Sequence, residues 1–284
     1  MKKFIIVLIS LCLFFSYFIY ISYYDLDITT YEIQSEKVNN DINIVMIGDV
    51  HDYHCLIKDK VIDQINELNP DIILCDGDII DDTSTSDEEM LSFLVQLADI
   101  SDVYMSLGNH EVSFYEGHVD DLKRIEDIGV NLLEEEYKDI TIGNTTIRLG
   151  GMYNYAFGMT EGKITKEDMN NSSTYQFLTD MTNTSLFKIM MAHRPDSFMY
   201  NDAYQWDIDL VLSAHTHGGQ AILPFIGGLY APEQGWFPKI DYGKYHRDNM
   251  TLIVTRGISS SKELLPRFNN KSEIVHITLK NLHE

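Results

Sequence analysis

The sequence has few cysteines, and this limits the kinds of site that it can build. Only three cysteines occur in 284 residues, which is too few for a disulfide framework. Cys55 and Cys75 lie near the ends of neighbouring predicted strands, where they are close enough to meet, but two separate free thiols are the better expectation. No group of cysteines has the spacing of a structural zinc site, so a zinc centre built on cysteine is excluded.

Basic residues are also scarce. Lysine and arginine together number 21 against 44 acidic residues, which gives a formal net charge of −23. Such a surface repels nucleic acids and other anionic polymers, so we expect no nucleic-acid partner. No sequence feature points to a protein partner either.

Internal repeats and low-complexity linkers are lacking, which favours one catalytic unit over two domains. The chain is long enough for one large domain with a substantial core. We predict one large domain at residues 25–284, preceded by a separate N-terminal segment at residues 1–24.

This N-terminal segment lacks the small residues that a signal-peptide cleavage site needs after its apolar run. Residues 4–21 are apolar or uncharged and, at about 1.5 Å per residue, nearly span a hydrocarbon core of about 30 Å. The sequence therefore predicts an uncleaved transmembrane anchor. Lys2 and Lys3 precede the run and Asp25 and Asp27 follow it, which predicts an extracytoplasmic catalytic domain on a single-pass membrane protein.

Short apolar runs separated by amphipathic segments predict an α/β fold. Residues 42–47 and 72–75 read as buried strands, and Ile57, Val61 and Ile65 between them have helical spacing, so they form a predicted βαβ unit. A third strand is predicted at residues 103–107, after a second helix. Later strands are predicted at residues 140–142, 145–149, 186–191, 210–212, 252–255 and 274–279.

Candidate metal ligands follow five of the predicted strands. The segments are Gly48-Asp49-Val50-His51, Gly77-Asp78-Ile79-Ile80-Asp81, Gly108-Asn109-His110-Glu111, Ala192-His193 and Ala214-His215-Thr216-His217-Gly218-Gly219. The carboxyl ends of strands are where open α/β sheets place their sites. Each segment alone arises often by chance, but the five in this order indicate one shared site.

The ligand chemistry favours a pair of transition metal ions. Asp49 and His51 are two residues apart and can turn toward one ion, while the carboxylate of Asp78 has two oxygens and can bridge two ions. Mixed oxygen and imidazole ligands suit manganese, iron or zinc better than magnesium or calcium. Two ions about 3.5 to 4 Å apart can activate water and polarise a phosphoryl oxygen.

A leaving alkoxide also needs a proton. His110 stands beside the candidate ligand Asn109 and is the natural donor. Asp81 follows Asp78 by three residues, and we expect it to accept a hydrogen bond from the other ring nitrogen of His110.

These motifs resemble those of the calcineurin-like metallophosphoesterase superfamily over roughly residues 43–279. Segments 213–220, 255–257 and 267–269 are similar to its membrane-associated branch, typified by YkuE-like and YaeI-like enzymes. The resemblance implies an α/β fold, a four-layer α-β-β-α sandwich of two mixed sheets. It also implies two divalent transition metal ions, the first held by Asp49, His51, Asp78 and His217 and the second by Asp78, Asn109, His193 and His215. In the family pattern Glu111 stands where many members have aspartate.

Two arginines in the later motifs are candidate substrate-binding residues. Arg256 and Arg267 have the bidentate guanidinium that clamps a phosphate. Structural pairing with the abundant carboxylates is an equal alternative. His54 and His118 have no motif support and are expected to be surface or packing residues.

The sequence thus predicts a binuclear metal-dependent enzyme that hydrolyses a phosphate ester or anhydride outside the membrane. We expect a phosphorylated small-molecule, lipid-linked or cell-envelope substrate. One alternative is an exported protein phosphatase or nuclease with the same metals, which the acidic composition disfavours. Another is a non-catalytic, metal-stabilised envelope-binding module, which the pairing of His110 with Asp81 disfavours.

Overall fold

The computed structural model describes residues 1–153, 173–199, 206–260 and 265–282. The α-helices are α1 (Lys2–Tyr24), α2 (Lys58–Leu68), α3 (Glu88–Ala98), α4 (Asn109–Phe114), α5 (Lys123–Asp127), α6 (Ser173–Thr182) and α7 (Asp196–Met199). The first eight strands are β1 (Leu26–Ser35), β2 (Ile42–Ile47), β3 (Ile72–Asp76), β4 (Asp102–Ser106), β5 (Asn131–Leu132), β6 (Glu136–Ile142), β7 (Thr145–Met152) and β8 (Phe187–Ala192). The others are β9 (Leu210–Ser213), β10 (Ile222–Leu223), β11 (Gly227–Gly228), β12 (Tyr230–Ala231), β13 (Gly235–Trp236), β14 (Gly243–Arg247), β15 (Met250–Val254) and β16 (Ser272–Asn281).

Twelve of the strands form two six-stranded mixed sheets, and the other four form the β10–β11 and β12–β13 hairpins. The first has the order β1-β16-β2-β3-β4-β5, and the second has the order β14-β15-β9-β8-β7-β6. Strands β2, β3 and β4 run parallel, with Val45 opposite Ile73 and Ile73 opposite Val103, so the predicted βαβ unit is confirmed. Strand β1 was not predicted. It is half exposed along most of its length and pairs in parallel with β16.

Apolar side chains form three layers of core. Met46, Leu74, Ile189 and Leu212 belong to the cluster between the two sheets. A second cluster packs the helices α2 and α3 against the outer face of the first sheet. A third packs α6 against the outer face of the second sheet. Full burial of one such side chain contributes about 1.5–3 kcal/mol. The predicted four-layer α-β-β-α sandwich is confirmed.

The N-terminal helix α1 is long and apolar enough to cross a membrane, with a mean hydropathy of 2.6 over its most apolar window. Its C-terminal part packs on the domain. The rings of Phe15 and Phe18 lie 5.5 and 5.4 Å from the ring of Phe268. The hydroxyl of Ser22 accepts the backbone N–H of Asn270 at 3.0 Å.

Cys55 and Cys75 are both free and buried, as expected of two separate thiols.

Candidate metal centre

The loops that leave β2, β3, β4, β8 and β9 meet at one edge of the two sheets, and they bring the predicted ligands together. Asp49, His51 and His217 offer ligand atoms that lie within 4.8 Å of one another. A second group of the same kind joins Asp78, His193 and His215. The structure therefore groups these six candidate ligands into two neighbouring clusters of side chains.

Asp78 belongs to the second cluster and also lies close to the first. Its Oδ2 is 3.0 Å from Nε2 of His193 and 4.0 Å from Nε2 of His110. It also groups with His51, a member of the first cluster. This position suits a carboxylate that touches both of two neighbouring cations.

Buried ligand atoms without hydrogen bonds support a metal site. Among the described residues, Nε2 of His51, Oδ1 of Asn109 and Nδ1 of His215 are buried and form no hydrogen bond. The buried Oδ2 of Asp78 and Nε2 of His193 face each other at 3.0 Å. An unpaired buried polar group costs about 1–3 kcal/mol, so several at one place call for a ligand. Their chemistry, imidazole nitrogens with carboxylate and amide oxygens, fits divalent transition metal ions.

Three of the candidate ligand histidines are oriented by a partner on one ring nitrogen. The partners are the carbonyl of Asp76 for Nδ1 of His193 at 2.7 Å, the carbonyl of Ser259 for Nδ1 of His217 at 3.3 Å, and Oε2 of Glu233 for Nε2 of His215 at 2.6 Å. Each contact places the ring proton on that nitrogen and the lone pair on the opposite one. This is the arrangement that metal-binding histidines usually have.

The site favours positive charge at its centre. Although burial opposes charge on His193, the carboxylates of Asp78, Asp49 and Asp76 raise the pKa of His193 to about 10. Burial lowers the pKa of His51, and it does the same for the other two ligand histidines. Those three rings are therefore neutral at pH 7, the form that binds a metal.

The backbone at the ligands is strained. The residues with a left-handed backbone include Asp49, His51, Asp78, His215 and His217, at φ values from 48° to 67°. Each such residue costs on the order of 1 kcal/mol, and strain of this kind concentrates at functional sites.

Two glycines leave room for these turns. A Cβ on Gly257, which has φ +74°, would lie 2.6 Å from Cβ of Asp49. A Cβ on Gly108 would lie 2.1 Å from Oδ1 of Asp78. Any larger residue at either position displaces a predicted ligand.

Glu111 holds the two central loops together. Its Oε2 accepts the backbone N–H groups of Asp78 at 2.8 Å and Gly108 at 2.7 Å. Its Oε1 accepts those of Ile79 at 2.7 Å and Ile80 at 3.1 Å. The side chain is fully buried. Glu111 is the third residue of α4, a position from which a glutamate can accept the backbone N–H of the N-cap residue, here Gly108.

The predicted hydrogen bond from His110 to Asp81 is not formed. Nδ1 of His110 accepts the backbone N–H of Asp82 at 2.9 Å, whereas Oδ2 of Asp81 is 3.8 Å away. Because Nδ1 accepts, the ring proton resides on Nε2, the nitrogen that faces Asp78. Asp81 instead lies 3.6 Å from Nδ1 of His51 and 3.6 Å from Nε2 of His54. The turn after β3 brings the amide of residue 82, and not the carboxylate of residue 81, against the ring.

The two candidate substrate-binding arginines contact other protein groups. Arg267 is fully buried, and its guanidinium donates to backbone carbonyls, including those of Asn270, Arg256 and Ser259. Arg256 pairs with Glu273 at 3.1 Å and with Asp27 at 3.2 Å. Both arginines therefore make structural contacts within the protein. We leave them out of the proposed substrate site.

Two supporting residues were missed by sequence reasoning. Asp76 ends β3 and offers its carbonyl to His193, but nothing in its local sequence sets it apart from other strand ends. Glu233 reaches His215 from the turn of the β12–β13 hairpin, and no motif marks it.

Comparison with known proteins finds relatives of this chain. The model of the calcineurin-like phosphoesterase family matches residues 42–219. The chain is 29% identical to an uncharacterized metallophosphoesterase of Bacillus subtilis, YkuE, over 94% of this chain and 90% of that protein. It is 30% identical to an uncharacterized metallophosphoesterase of Campylobacter jejuni, over 89% of this chain but 63% of that protein, so it spans about three fifths of that relative. It is 25% identical to the phosphodiesterase YaeI of Escherichia coli, over 83% of this chain and 81% of that protein.

The fold is also found among solved structures. A protein of Thermus thermophilus superposes with a TM-score of 0.50 at 10% identity, over 77% of this chain and 90% of that one. At this identity the likeness concerns the fold alone.

Proposed function

Because the chain belongs to the calcineurin-like phosphoesterase family, in the branch of YkuE and YaeI, we propose that it hydrolyses a phosphate ester or anhydride with two divalent metal ions. The observation that carries the proposal is the pair of neighbouring ligand clusters that Asp78 connects, since it belongs to the second cluster and also groups with His51 of the first. Two bound ions supply an activated water and the positive charge that stabilises the transition state.

Each ligand has a proposed place. Asp49, His51, Asp78 and His217 hold the first ion, and Asp78, Asn109, His193 and His215 hold the second. Manganese, iron and zinc all suit this set of ligands.

His110 is the proposed proton donor. Nε2 of this ring lies 4.0 Å from Oδ2 of Asp78. A neutral ring that gave up its Nε2 proton would become an imidazolate, so the donating form is the imidazolium, with a proton on each nitrogen. The carboxylate of Asp82, 3.4 Å from Nδ1, favours this charged form. Asp81 is a proposed positioning residue, which acts on the ring of His51 from 3.6 Å. Proton donation to a leaving group of this kind contributes about 10²–10⁴-fold to the rate.

The substrate and the location are further parts of the proposal. We place the anchor at residues 1–24 and the catalytic domain at residues 25–284, outside the cytoplasm. A lipid-linked or cell-envelope phosphate is the proposed substrate class, since an anchor at α1 keeps the site close to the bilayer.

Hydrolysis by the manganese-loaded full chain in detergent tests the proposal. The substrates are bis-p-nitrophenyl phosphate, p-nitrophenyl phosphate and a nucleotide-linked lipid. His110→Ala is expected to keep its metal content and to lose most of its turnover, whereas His118→Ala, an exposed histidine on the following loop, is expected to keep both. Cleavage of none of the substrates by metal-loaded protein would favour the envelope-binding module. Unchanged turnover in His110→Ala would refute the assigned donor.

A further inference from the structure

Four large apolar side chains are exposed on one short segment beside the candidate metal centre. This segment, residues 222–237, is called the apolar loop below. Phe225 is fully exposed, and Ile226, Trp236 and Phe237 are 60, 55 and 61% exposed. Single exposed apolar residues are normal on soluble proteins, but several on one segment indicate an interaction surface.

The apolar loop is built from two hairpins that are held together. The β10–β11 hairpin carries Phe225 and Ile226 at its tip. The β12–β13 hairpin ends at Trp236, and the backbone N–H of Phe237 donates to the carbonyl of Leu229 at 2.8 Å. The four exposed side chains therefore belong to one ordered unit.

Two of these aromatic residues have an unfavourable backbone. Phe225 has φ +68° and Phe237 has φ +58°, a region that bulky residues rarely adopt. Glycine or asparagine at these positions would relieve a cost on the order of 1 kcal/mol. The aromatic side chains are thus present at a cost to the free energy of folding, although neither is packed in the core.

The apolar loop is continuous with the packing surface of α1. The backbone N–H of Ile222 donates to the carbonyl of Phe268 at 2.9 Å, and that of Phe268 donates to the carbonyl of Gln220 at 3.2 Å. The ring of Phe268 in turn contacts Phe15 and Phe18 of α1. Phe268 therefore contacts both the base of the apolar loop and helix α1.

The contacts of Phe268 with α1 also indicate how deep the base of the apolar loop lies relative to the bilayer. Tyr20 and Tyr24 stack at 4.7 Å near the end of α1, and tyrosines at such positions mark the membrane–water interface. Phe15 lies five residues before Tyr20, which is about 7.5 Å farther along the helix toward the hydrocarbon. Phe268, packed against Phe15, is thus at the level of the interface or below it.

We propose that the apolar loop inserts into the surface of the lipid bilayer beside α1. The inference rests on the proposed membrane anchoring. The net charge of −23 gives no attraction to anionic lipids, so the contact is hydrophobic and insensitive to salt.

Insertion of this loop bears on the candidate metal centre. Glu233, on the same segment, contacts Nε2 of the ligand His215, and a Cβ on Gly219 would lie 2.4 Å from Cα of Gly228. The loop therefore packs directly on the ligand loop after β9. Docking would hold the site at the level of the lipid head groups, which makes a phosphoester in the head group of a membrane lipid the substrate class that it reaches.

Quenching of Trp236 by brominated lipid tests the insertion. The chain has two tryptophans, so the Trp206→Phe variant of the full chain reports on Trp236 alone. The variant is placed in nanodiscs of zwitterionic lipid with or without bromine on the acyl chains. We expect bromine to quench Trp236 severalfold, at low and high salt alike. The Trp236→Phe variant, which reports on Trp206, is the matched control and is expected to show little quenching.

A second pair of variants separates docking from simple exposure. Phe225→Ser with Ile226→Ser should reduce the quenching of Trp236. Val119→Ser, which removes an apolar side chain 63% exposed on the segment between α4 and α5, should leave it unchanged. Equal fluorescence of Trp236 in the two lipids, with the protein retained in the disc, would overturn the proposal. If two chains are then found in each disc, the apolar loop belongs to an interface with a second copy. Loss of the protein from the disc would refute the anchoring and the insertion together.

These outcomes are independent of the proposed activity. Hydrolysis of the water-soluble bis-p-nitrophenyl phosphate in detergent reports on the metal centre without any bilayer. An active enzyme with an unquenched Trp236 refutes the insertion alone, and an inactive enzyme with a quenched Trp236 refutes the proposed function alone.

Discussion

Replacement of Glu111 by glutamine tests whether one buried carboxylate organises the candidate metal centre. In the structure each carboxylate oxygen accepts two backbone N–H groups, from the loops after β3 and β4. Glutamine has almost the same shape, but one of its two terminal groups is an NH₂ that cannot accept a hydrogen bond.

The expected loss follows from this count. Two hydrogen bonds to a charged group disappear, each worth about 1.5–3 kcal/mol, and two buried N–H groups are left facing another donor. The free energy of unfolding should therefore fall by about 3–6 kcal/mol, a large part of the roughly 5–15 kcal/mol of a typical domain. Glu111→Asp keeps the charge and should lose less.

Urea unfolding of the full chain in detergent, followed by circular dichroism without metal, measures this loss. Glu116→Gln is the matched control, because Glu116 is exposed on the same stretch of chain and its replacement should change stability by less than about 0.5 kcal/mol. A Glu111→Gln variant as stable as the control would show that the four hydrogen bonds do not hold the loops.

Two further predictions concern the surroundings of the site. Glu233→Gln should weaken the affinity for one of the two ions by about 10–100-fold, because Nε2 of His215 loses its carboxylate partner. Isothermal titration with manganese measures both affinities. If both are unchanged, Glu233 does not support the metal centre. Burial raises the pKa of Cys55 to about 11 and raises that of Cys75 further, so both thiols are protonated below that range and should react with iodoacetamide at pH 8 only after unfolding. Mass spectrometry of the native protein should find both unmodified, and rapid alkylation of either would contradict its burial.

Much of the fold is predictable because the buried strands have simple sequences. Residues 42–47 form β2 as predicted, and β3, β4, β8 and β9 lie within a residue or two of their apolar runs. Fully buried strands are continuous apolar runs, and their ligand-bearing ends follow from the same pattern. Strand β1 escaped this reasoning because it is a half-exposed edge strand with polar residues such as Asp27 and Glu32.

The clustering of the candidate ligands was also predictable, since parallel strands end at the same edge of a sheet. The contacts around them depend on the path of the backbone. Spacing alone placed Asp81 against His110, but the turn after β3 presents the amide of Asp82 there. Arg267 belongs to a motif, yet its guanidinium is used to bind backbone carbonyls. Glu233 comes from a segment that is distant in sequence and has no motif, so only the tertiary structure reveals it.

The metal content of the purified protein and of its Asp78→Ala variant tests the central claim most directly. Asp78 belongs to the second ligand cluster and also groups with His51 of the first, so its carboxylate is the proposed ligand of both ions. After loading with manganese and removal of free metal, elemental analysis should find about two ions per chain in the wild type and far fewer in the variant, as a two-metal centre requires. A wild-type protein without bound transition metal under any loading condition, or a variant with full metal content, would contradict the account.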